Sequence, residues 1–339
     1  MSRCLQLAKN GLPAAMPNPS VGAVLVVHDL IIGEGYTSTY GGPHAEVNAI
    51  AAVNNDKLLK KATLYVSLEP CSHFGKTPPC SDLIIAKGIK RVVVGTIDPF
   101  AEVAGRGIRK LIEADCDVTV GVLEKECLKI NQRFFCFHQK KRPYIILKWA
   151  QTADKFIAPA LAERHQRKPV WITSTYSRQL VHKWRTEEAA ILVGTTTALQ
   201  DDPKLNARSW NGKNPVRIVL DRNAKIPAES AAFDGSVQTF VLTEKPKTDS
   251  TNIRYYKMDF DQNLHQQICD LLYKENIQSL IVEGGTTTLQ GFIDNKLWDE
   301  ARIFTGNTSF KKGVKAPKIN GRLILVKSIG EDRLEIWEP

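Results

Sequence analysis

The sequence predicts an α/β protein with two domains, on three observations. Strand-like and helix-like stretches alternate along both halves of the chain. The length of 339 residues is typical of two average domains. The polar segment 138–143, which ends in proline, separates the two halves. We therefore place the first domain at residues 1–139 and the second at residues 143–339.

The elements of the first half follow from hydrophobic periodicity. Short apolar runs predict strands, and apolar residues three and four apart predict helices. The predicted strands are 21–27, 30–33, 62–68, 91–95 and 117–121. The predicted helices are 2–11, one that begins near residue 43, 81–87, 106–114 and 123–137. This alternation implies a three-layer domain with helices on both faces of a sheet.

The second half starts a new α/β series. The predicted strands are 144–149, 189–193, 215–220, 237–242 and 278–282, and the predicted helices are 175–186, 262–275 and 286–294. Three further strands, 299–304, 321–328 and 332–337, end the chain. Because no helix separates these three strands, we expect them to pair antiparallel at one edge of the sheet.

Composition excludes several classes of protein. Hydrophobic residues make up 43% and charged residues 24% of the chain, which is typical of a globular protein rather than a disordered one. No apolar run approaches the roughly 20 residues that span a bilayer. The first residues show no secretion leader. Seven cysteines, an odd number, favour reduced thiols. We therefore expect a cytoplasmic protein without a membrane partner.

The chain is basic, with a formal net charge of +10. Such an excess suits a nucleic acid, but it equally suits a phosphorylated small molecule or an anionic cofactor. The densest basic groups, 57–61 and 140–142, are short and contain no interleaved aromatic residues. We interpret them as solvated faces and expect no nucleic-acid partner.

One histidine and two cysteines form the strongest chemical signal. His44 lies at the start of a predicted helix, and Cys71 and Cys80, each preceded by proline, follow strand 62–68. One imidazole and two thiolates leave a tetrahedral zinc ion one open position, as in catalytic zinc sites. Glu46, two residues after His44, can reach a water molecule there without binding the metal. We predict that Glu46 is the catalytic proton shuttle.

This arrangement is the signature of zinc nucleobase deaminases, except that eight residues rather than two separate the cysteines. Taken singly, each cysteine is more simply interpreted as a buried thiol, and the histidine as a hydrogen-bonded side chain without a metal. The coincidence of three ligands, a glutamate and two prolines favours the metal site. We expect the other cysteines only to pack: Cys4, Cys116, Cys127, Cys136 and Cys269.

The second half has a weaker signal. It contains no Gly-x-Gly-x-x-Gly, so an ordinary Rossmann dinucleotide site is not indicated. Gly284 and Gly285 follow an apolar strand, where backbone N–H groups can approach an anion, although such a pair is as often a simple turn. Arg185 and Arg208 could clamp a phosphate, or could form surface ion pairs.

The zinc motif resembles that of the bifunctional riboflavin-biosynthesis deaminase–reductases. The matching stretches are 18–22, 43–46, 67–80 and 103–107. The resemblance implies a cytidine-deaminase-like first domain. It also implies that a ribosylated, phosphorylated diaminopyrimidinone contacts Asn18, His73, Lys76 and Asp98.

The second half resembles the reductase domain of the same family. The matching stretches are 148–154, 171–173, 192–194, 201–203 and 283–285. The resemblance implies a dihydrofolate-reductase-like fold that uses NADPH. The implied cofactor contacts are Ala150, Trp171, Thr197, Asp201 and Gly285. The implied substrate contacts are Arg185, Leu205, Arg208 and Glu283.

The resemblance thus implies two reactions on one pyrimidine ribotide. The first hydrolyses an amine of 2,5-diamino-6-ribosylamino-4(3H)-pyrimidinone 5′-phosphate. The second uses NADPH to reduce ribosyl to ribityl, which gives 5-amino-6-ribitylaminouracil 5′-phosphate. We expect a homo-oligomer. The alternatives are a tRNA or nucleoside deaminase and a non-catalytic RNA-binding protein with decayed sites.

The chain departs from the family pattern at four positions. Thr37 stands where a histidine is frequent, Phe100 replaces an asparagine, and Pro169 replaces a substrate-contacting serine. Lys155 follows Asp154 where the family commonly has glycine. Because lysine adopts a positive φ less readily than glycine, we expect the turn at Lys155 to differ.

Overall fold

The computed structural model describes residues 1–74, 78–99, 104–164 and 166–339. It divides into two compact units, Met1–Lys141 and Arg142–Pro339. The division falls inside the polar segment 138–143. Within the described residues, no helix is long and apolar enough to cross a membrane. All seven cysteines are free thiols, and the five that we expected only to pack are buried.

The first unit is a five-stranded sheet between helices. Its helices are α1 (Ser2–Asn10), α2 (Ala45–Ala51), α3 (Cys80–Ala86), α4 (Arg106–Glu113), α5 (Glu124–Ile130) and α6 (Gln132–Lys140). Its strands are β1 (Gly22–Val27), β2 (Leu30–Tyr36), β3 (Thr63–Val66), β4 (Arg91–Val94) and β5 (Asp117–Val120). The order is β2-β1-β3-β4-β5, with β3, β4 and β5 parallel.

Alternation along β1 explains the layers. Val24 packs with Cys4 and Leu7 of α1, whereas its neighbour Leu25 belongs to the main core on the other face, with Ala49 of α2 and other buried residues. Successive side chains of a strand point to opposite faces, so helices cover both sides of the sheet. The predicted three-layer architecture is confirmed.

The predicted helix 123–137 is wrong in two respects. It breaks at Asn131, and its second part continues to Lys140. The Asn131 side chain is buried and pairs with the backbone of Ser20, accepting from its N–H at 2.8 Å and donating to its carbonyl at 2.9 Å. Asn131 thus forms a tertiary contact at the point where the helix is interrupted. The apolar residues on both sides keep the helical periodicity, which is why the sequence predicts one continuous helix.

The second unit contains a nine-stranded sheet. The strands of this unit, in that sheet and in a separate pair, are β6 (Tyr144–Gln151), β7 (Phe156–Pro159), β8 (Ala190–Val193), β9 (Val216–Leu220), β10 (Thr239–Thr243), β11 (Ile253–Lys257), β12 (Ser279–Val282), β13 (Glu300–Thr305), β14 (Gly313–Lys315), β15 (Arg322–Ile329) and β16 (Asp332–Glu338). Its helices are α7 (Thr175–Glu187), α8 (Thr195–Asp201), α9 (Leu264–Lys274) and α10 (Thr286–Asp294). The sheet order is β11-β10-β9-β8-β12-β6-β13-β16-β15, and β7 pairs with β14 separately.

The central strands run parallel, so their carboxyl ends meet at one edge. The predicted antiparallel edge is confirmed for β13–β16 and β15–β16, although β13 pairs parallel with β6 on its other side. The sequence did not predict β7, β11, β14 or α8, all of which are short.

Arg142, in the segment we read as a polar linker, is buried. Its guanidinium binds both carboxylate oxygens of Asp299, at 2.5 and 2.9 Å, and Asp299 also accepts from the Ile145 N–H at 3.0 Å. The second unit therefore begins one residue before the proline that we used as the boundary, because an ion pair fixes Arg142 to its sheet.

Contrary to our expectation, the turn at Lys155 keeps a positive φ. Lys155 adopts a φ of 66°, in the left-handed region. That region costs an L-residue about 1–2 kcal/mol and costs glycine nothing. Glycine also has the greater entropy in the unfolded chain, which offsets part of this gain. We therefore expect Lys155→Gly to raise the free energy of unfolding by about 0.5–1 kcal/mol. Urea unfolding measures the change. Lys274→Gly, in the helical last turn of α9, is the matched control and should lower stability by about 1 kcal/mol. Equal losses in both variants would contradict the prediction.

Candidate functional site

The three predicted zinc ligands converge in the first unit. His44 immediately precedes α2, Cys80 is the first residue of α3, and Cys71 lies in the loop after β3. His44 Nδ1 is 3.6 Å from Cys71 Sγ and 3.4 Å from Cys80 Sγ. All three ligand atoms lie within 4.8 Å of one another.

These distances fit zinc. Zinc–sulfur bonds of about 2.3 Å and zinc–nitrogen bonds of about 2.0–2.1 Å, at a tetrahedral angle, place the two ligand atoms about 3.5 Å apart. The Cys80 backbone N–H also points at Cys71 Sγ, at 3.3 Å. Hydrogen bonds with Cys80 and His44 lower the pKa of Cys71, and the thiolate is the form that binds metal.

Glu46 lies beside this ligand set. It is in the first turn of α2, two residues after His44, and its side chain is 3% exposed. Burial, reinforced by the nearby Cys71 sulfur, raises the pKa of Glu46 to about 7. A hydrogen bond with Cys71 raises the pKa of His44. One carboxyl group thus stands next to three candidate metal ligands, where it can exchange protons with a molecule bound there.

The other residues predicted for the first site are placed less completely. Asp98 is buried just beyond β4, Asn18 is half-buried, and His73 is exposed. Lys76 lies outside the described residues, as does Phe100. Because β3 and β4 are parallel neighbours, Asp98 and the Cys71 loop leave the sheet at the same edge.

Thr37 is a structural residue in this chain. It is buried, and its hydroxyl accepts a hydrogen bond from the Val21 N–H at 2.9 Å. Where a histidine is frequent in the family that this chain resembles, this chain has a side chain that hydrogen-bonds to the backbone just before β1.

The second unit contains a cleft of about 1210 Å³ at the carboxyl ends of its parallel strands. All nine residues predicted for cofactor or substrate line it: Ala150, Trp171, Arg185, Thr197, Asp201, Leu205, Arg208, Glu283 and Gly285. A large cleft at this edge of a parallel sheet is the usual position of a ligand site.

An ion-pair cluster lies in the cleft. Arg185 Nε and Nη2 donate to the two carboxylate oxygens of Glu283, each at 2.8 Å, and Lys148 Nζ lies 3.4 Å from Glu283. Burial opposes the charge of Glu283, but the charges of Arg185 and Lys148 outweigh it and lower its pKa to about 2. Lys148 was missed by the sequence reasoning.

This cluster occupies one of the two arginines that we predicted could clamp a phosphate. Arg185 Nη1 also donates to the Asn206 carbonyl at 2.9 Å, so all three guanidinium nitrogens are engaged within the protein. Arg208 is exposed in the cleft, where Nη1 contacts the Asn206 side chain at 3.2 Å. Arg208 therefore has greater freedom to meet a ligand phosphate than Arg185 has.

The predicted cofactor residues gather near the glycine pair. Gly285 caps α10, and Gly194, which caps α8, donates its N–H to the Gly284 carbonyl at 3.0 Å. A Cβ on Gly285 would lie 3.3 Å from Thr197 Oγ1, so a side chain would crowd Thr197. Backbone N–H groups at the start of α10 can therefore approach an anionic ligand.

Two further predicted residues are held by arginines. The Trp171 ring, half-exposed, lies under the guanidinium of Arg178 at 4.4 Å. Asp201 forms an ion pair with Arg164, which also donates to the Gln200 carbonyl at 3.3 Å. The chain at Arg164 is thereby attached to the end of α8.

His182 also lines the cleft and was missed, because a histidine inside a helix carries no motif. It is buried, and its Nδ1 has no hydrogen-bond partner among the residues that the structure describes. Burial, with the charges of Arg185 and Arg208, lowers its pKa to about 4 from an ordinary value of 6.5.

We expect His182 to make the protein less stable in acid. The unfolded chain binds the proton near pH 6.5, whereas the folded one resists it to about pH 4, so this contribution is complete above 6.5 and is lost as the pH falls through that window. Chemical unfolding between about pH 7.5 and about pH 4.5, followed by tryptophan fluorescence, measures the slope. His182→Gln should flatten it. Parallel profiles for the two proteins would contradict the assignment.

Comparisons with known proteins identify the families of both domains. The family model described as the cytidine and deoxycytidylate deaminase zinc-binding region matches residues 1–96, and that of the RibD C-terminal domain matches residues 143–308. The riboflavin biosynthesis protein RibD of Aquifex aeolicus is 39% identical over 99% of this chain and 91% of its own. That of Actinobacillus pleuropneumoniae is 40% identical over 85% and 77%.

A solved structure is similar along the whole chain. It is the diaminohydroxyphosphoribosylaminopyrimidine deaminase/5-amino-6-(5-phosphoribosylamino)uracil reductase of Thermotoga maritima, with a TM-score of 0.89 and 36% identity. The match covers 100% of this chain and 97% of that one. The predicted α/β fold, with a deaminase domain followed by a reductase domain, is confirmed.

Proposed function

Because the chain belongs to the RibD family of bifunctional riboflavin biosynthesis proteins, we propose that its two units act in turn on one pyrimidine ribotide. Residues 1–139 deaminate 2,5-diamino-6-ribosylamino-4(3H)-pyrimidinone 5′-phosphate. Residues 143–339 reduce its ribosyl group to ribityl, giving 5-amino-6-ribitylaminouracil 5′-phosphate. The observation that carries the proposal is the buried Glu46 beside the His44, Cys71 and Cys80 ligand set.

In the first unit, zinc would be held by His44, Cys71 and Cys80. With three protein ligands, it would supply an activated water molecule for hydrolysis. Glu46 would carry one proton of the attacking water to the ring nitrogen next to the amine-bearing carbon. It would carry the other to the amine, which would leave as ammonia while the water oxygen becomes the carbonyl. Asn18, His73, Lys76 and Asp98 hold the substrate.

In the second unit, NADPH would be held by Gly285, Thr197, Ala150, Trp171 and Asp201. When bound, it would supply the hydride for C1′ of the ribosyl group. Glu283, fixed by Arg185 and Lys148, accepts hydrogen bonds from ribose hydroxyls.

Two further cleft residues complete the substrate site in this proposal. Arg208 is the cation that meets the substrate phosphate, since Arg185 is already paired. Leu205, a buried residue that lines the same cleft, gives the sugar an apolar wall.

We also propose that the protein is a cytoplasmic homo-oligomer that binds no nucleic acid. The free cysteine thiols support the cytoplasmic location. The absence of interleaved aromatic residues from the basic groups 57–61 and 140–142 supports the lack of a nucleic-acid partner.

A product assay tests the proposed function. The purified protein is incubated with the diaminopyrimidinone ribotide, with and without NADPH, and the products are resolved by mass. Exchange of amine for carbonyl should add about one mass unit, and reduction about two more. Ammonia released from RNA instead would indicate a tRNA deaminase. Salt-sensitive retention on RNA without NADPH oxidation would indicate a binding protein.

A further inference from the structure

Glu69 is a buried carboxylate that the proposed reaction does not use. It follows β3, two residues before Cys71, and is 3% exposed. Within the described part of the chain, its oxygens accept four backbone hydrogen bonds, Oε2 from Asp98 at 3.2 Å and Gly105 at 2.9 Å, and Oε1 from Gly107 at 2.9 Å and Ile108 at 3.2 Å.

The four donors belong to two segments. Asp98 follows β4, and the other three residues form the start of α4. The residue that caps α4 is Gly105, with a φ of 75°, and it has no side chain to accept from the first amides of the helix. Glu69 supplies the missing acceptor from outside the helix, where a negative charge also suits the helix dipole. Hydrogen bonds to a carboxylate are roughly twice as strong as neutral ones.

The backbone around Glu69 is packed without spare room. A Cβ on Gly107 would lie 2.0 Å from the Pro70 carbonyl oxygen, so α4 begins directly against the residue before Cys71. The Glu69 N–H donates to the Thr96 carbonyl at 2.9 Å, which continues the contact between β3 and β4. The ligand loop and the segment that carries Asp98 therefore share one anchor.

We propose that Glu69 is a positioning residue for deamination, which sets Asp98 at a fixed place relative to the Cys71 ligand loop. The inference rests on the proposed function, in which Asp98 contacts the ribotide. Backbone N–H groups donate to both oxygens of the carboxylate, so it acts through the backbone it holds rather than on the reacting atoms.

The variant Glu69→Gln tests this inference in the full-length zinc protein. Its amide retains one acceptor oxygen and turns a donor toward two backbone N–H groups, so at least two hydrogen bonds are lost. We expect the KM for the ribotide to rise by about tenfold or more, with a smaller change in kcat. Zinc content and the reductase activity of the same chain should not change. Glu113→Gln, at the exposed end of α4, is the matched control and should leave KM unaltered.

A double-mutant cycle shows whether Glu69 acts through Asp98. If it does, Glu69→Gln in an Asp98→Ala background raises KM no further. Gly107→Ala, which pushes α4 away from Pro70 but retains the carboxylate, should also raise KM. An unchanged KM in Glu69→Gln, loss of its zinc, or multiplying effects in the cycle would each overturn the proposal. Absence of ribotide deamination by the unmodified protein would instead overturn the proposed function.

Discussion

Replacing Glu46 with glutamine is expected to stop deamination while the protein keeps its zinc and its reductase activity. Glutamine fills the same buried space in α2 but cannot accept a proton from water, and general acid–base catalysis contributes about 10²–10⁴-fold to a rate. We therefore expect kcat for ammonia release to fall by about that factor. Metal analysis and NADPH oxidation with the already deaminated ribotide measure the two properties that should persist.

Glu126→Gln, on the exposed side of α5, is the control for this substitution because it changes the same charge away from the ligands. Wild-type ammonia release from Glu46→Gln would show that another group moves the proton. Loss of zinc from that variant would show that Glu46 is a ligand, and that the open coordination position is filled by the protein.

The first site was largely readable from the sequence because its chemistry depends on side chains. A histidine, two cysteines and a glutamate have few common reasons to occur in that order, and the structure brings the three ligand types together. The role of Glu69 could not be predicted from the sequence, because its partners are backbone amides, which almost every residue type supplies. Its only signal is a charged residue directly after a buried strand.

The second site was readable only through the family resemblance. Its buried charged side chains come from separate elements, Lys148 from β6, Arg185 from α7 and Glu283 from the residue after β12. A lone lysine in a strand pattern looks like a solvent-facing residue. Lys148 and Glu283 meet because β6 and β12 are parallel neighbours, a pairing that no local pattern specifies. Leu205 takes a φ of 49°, and such left-handed leucines give no sequence signal.

The substitution Glu283→Ala should be the most destabilising change in the second unit. It leaves the buried cations Lys148 and Arg185 without their shared counter-charge. Removing one partner of a buried ion pair costs about 3–5 kcal/mol, and we expect a loss of that size in urea unfolding, together with loss of NADPH-dependent reduction. Glu338→Ala, whose partner Arg322 is exposed, should cost about 0–1 kcal/mol.

A second substitution shows whether the unpaired charges or the lost contacts destabilise Glu283→Ala. If the stranded positive charge is responsible, adding Lys148→Met to Glu283→Ala removes one of the two unpaired cations and should recover part of the stability. Reductase activity should not return, because the hydroxyl acceptor is still missing. A double variant less stable than Glu283→Ala alone would mean that Lys148 contributes packing rather than charge. Glu283→Ala and Glu338→Ala with similar unfolding midpoints would mean that water enters the cleft and solvates both cations.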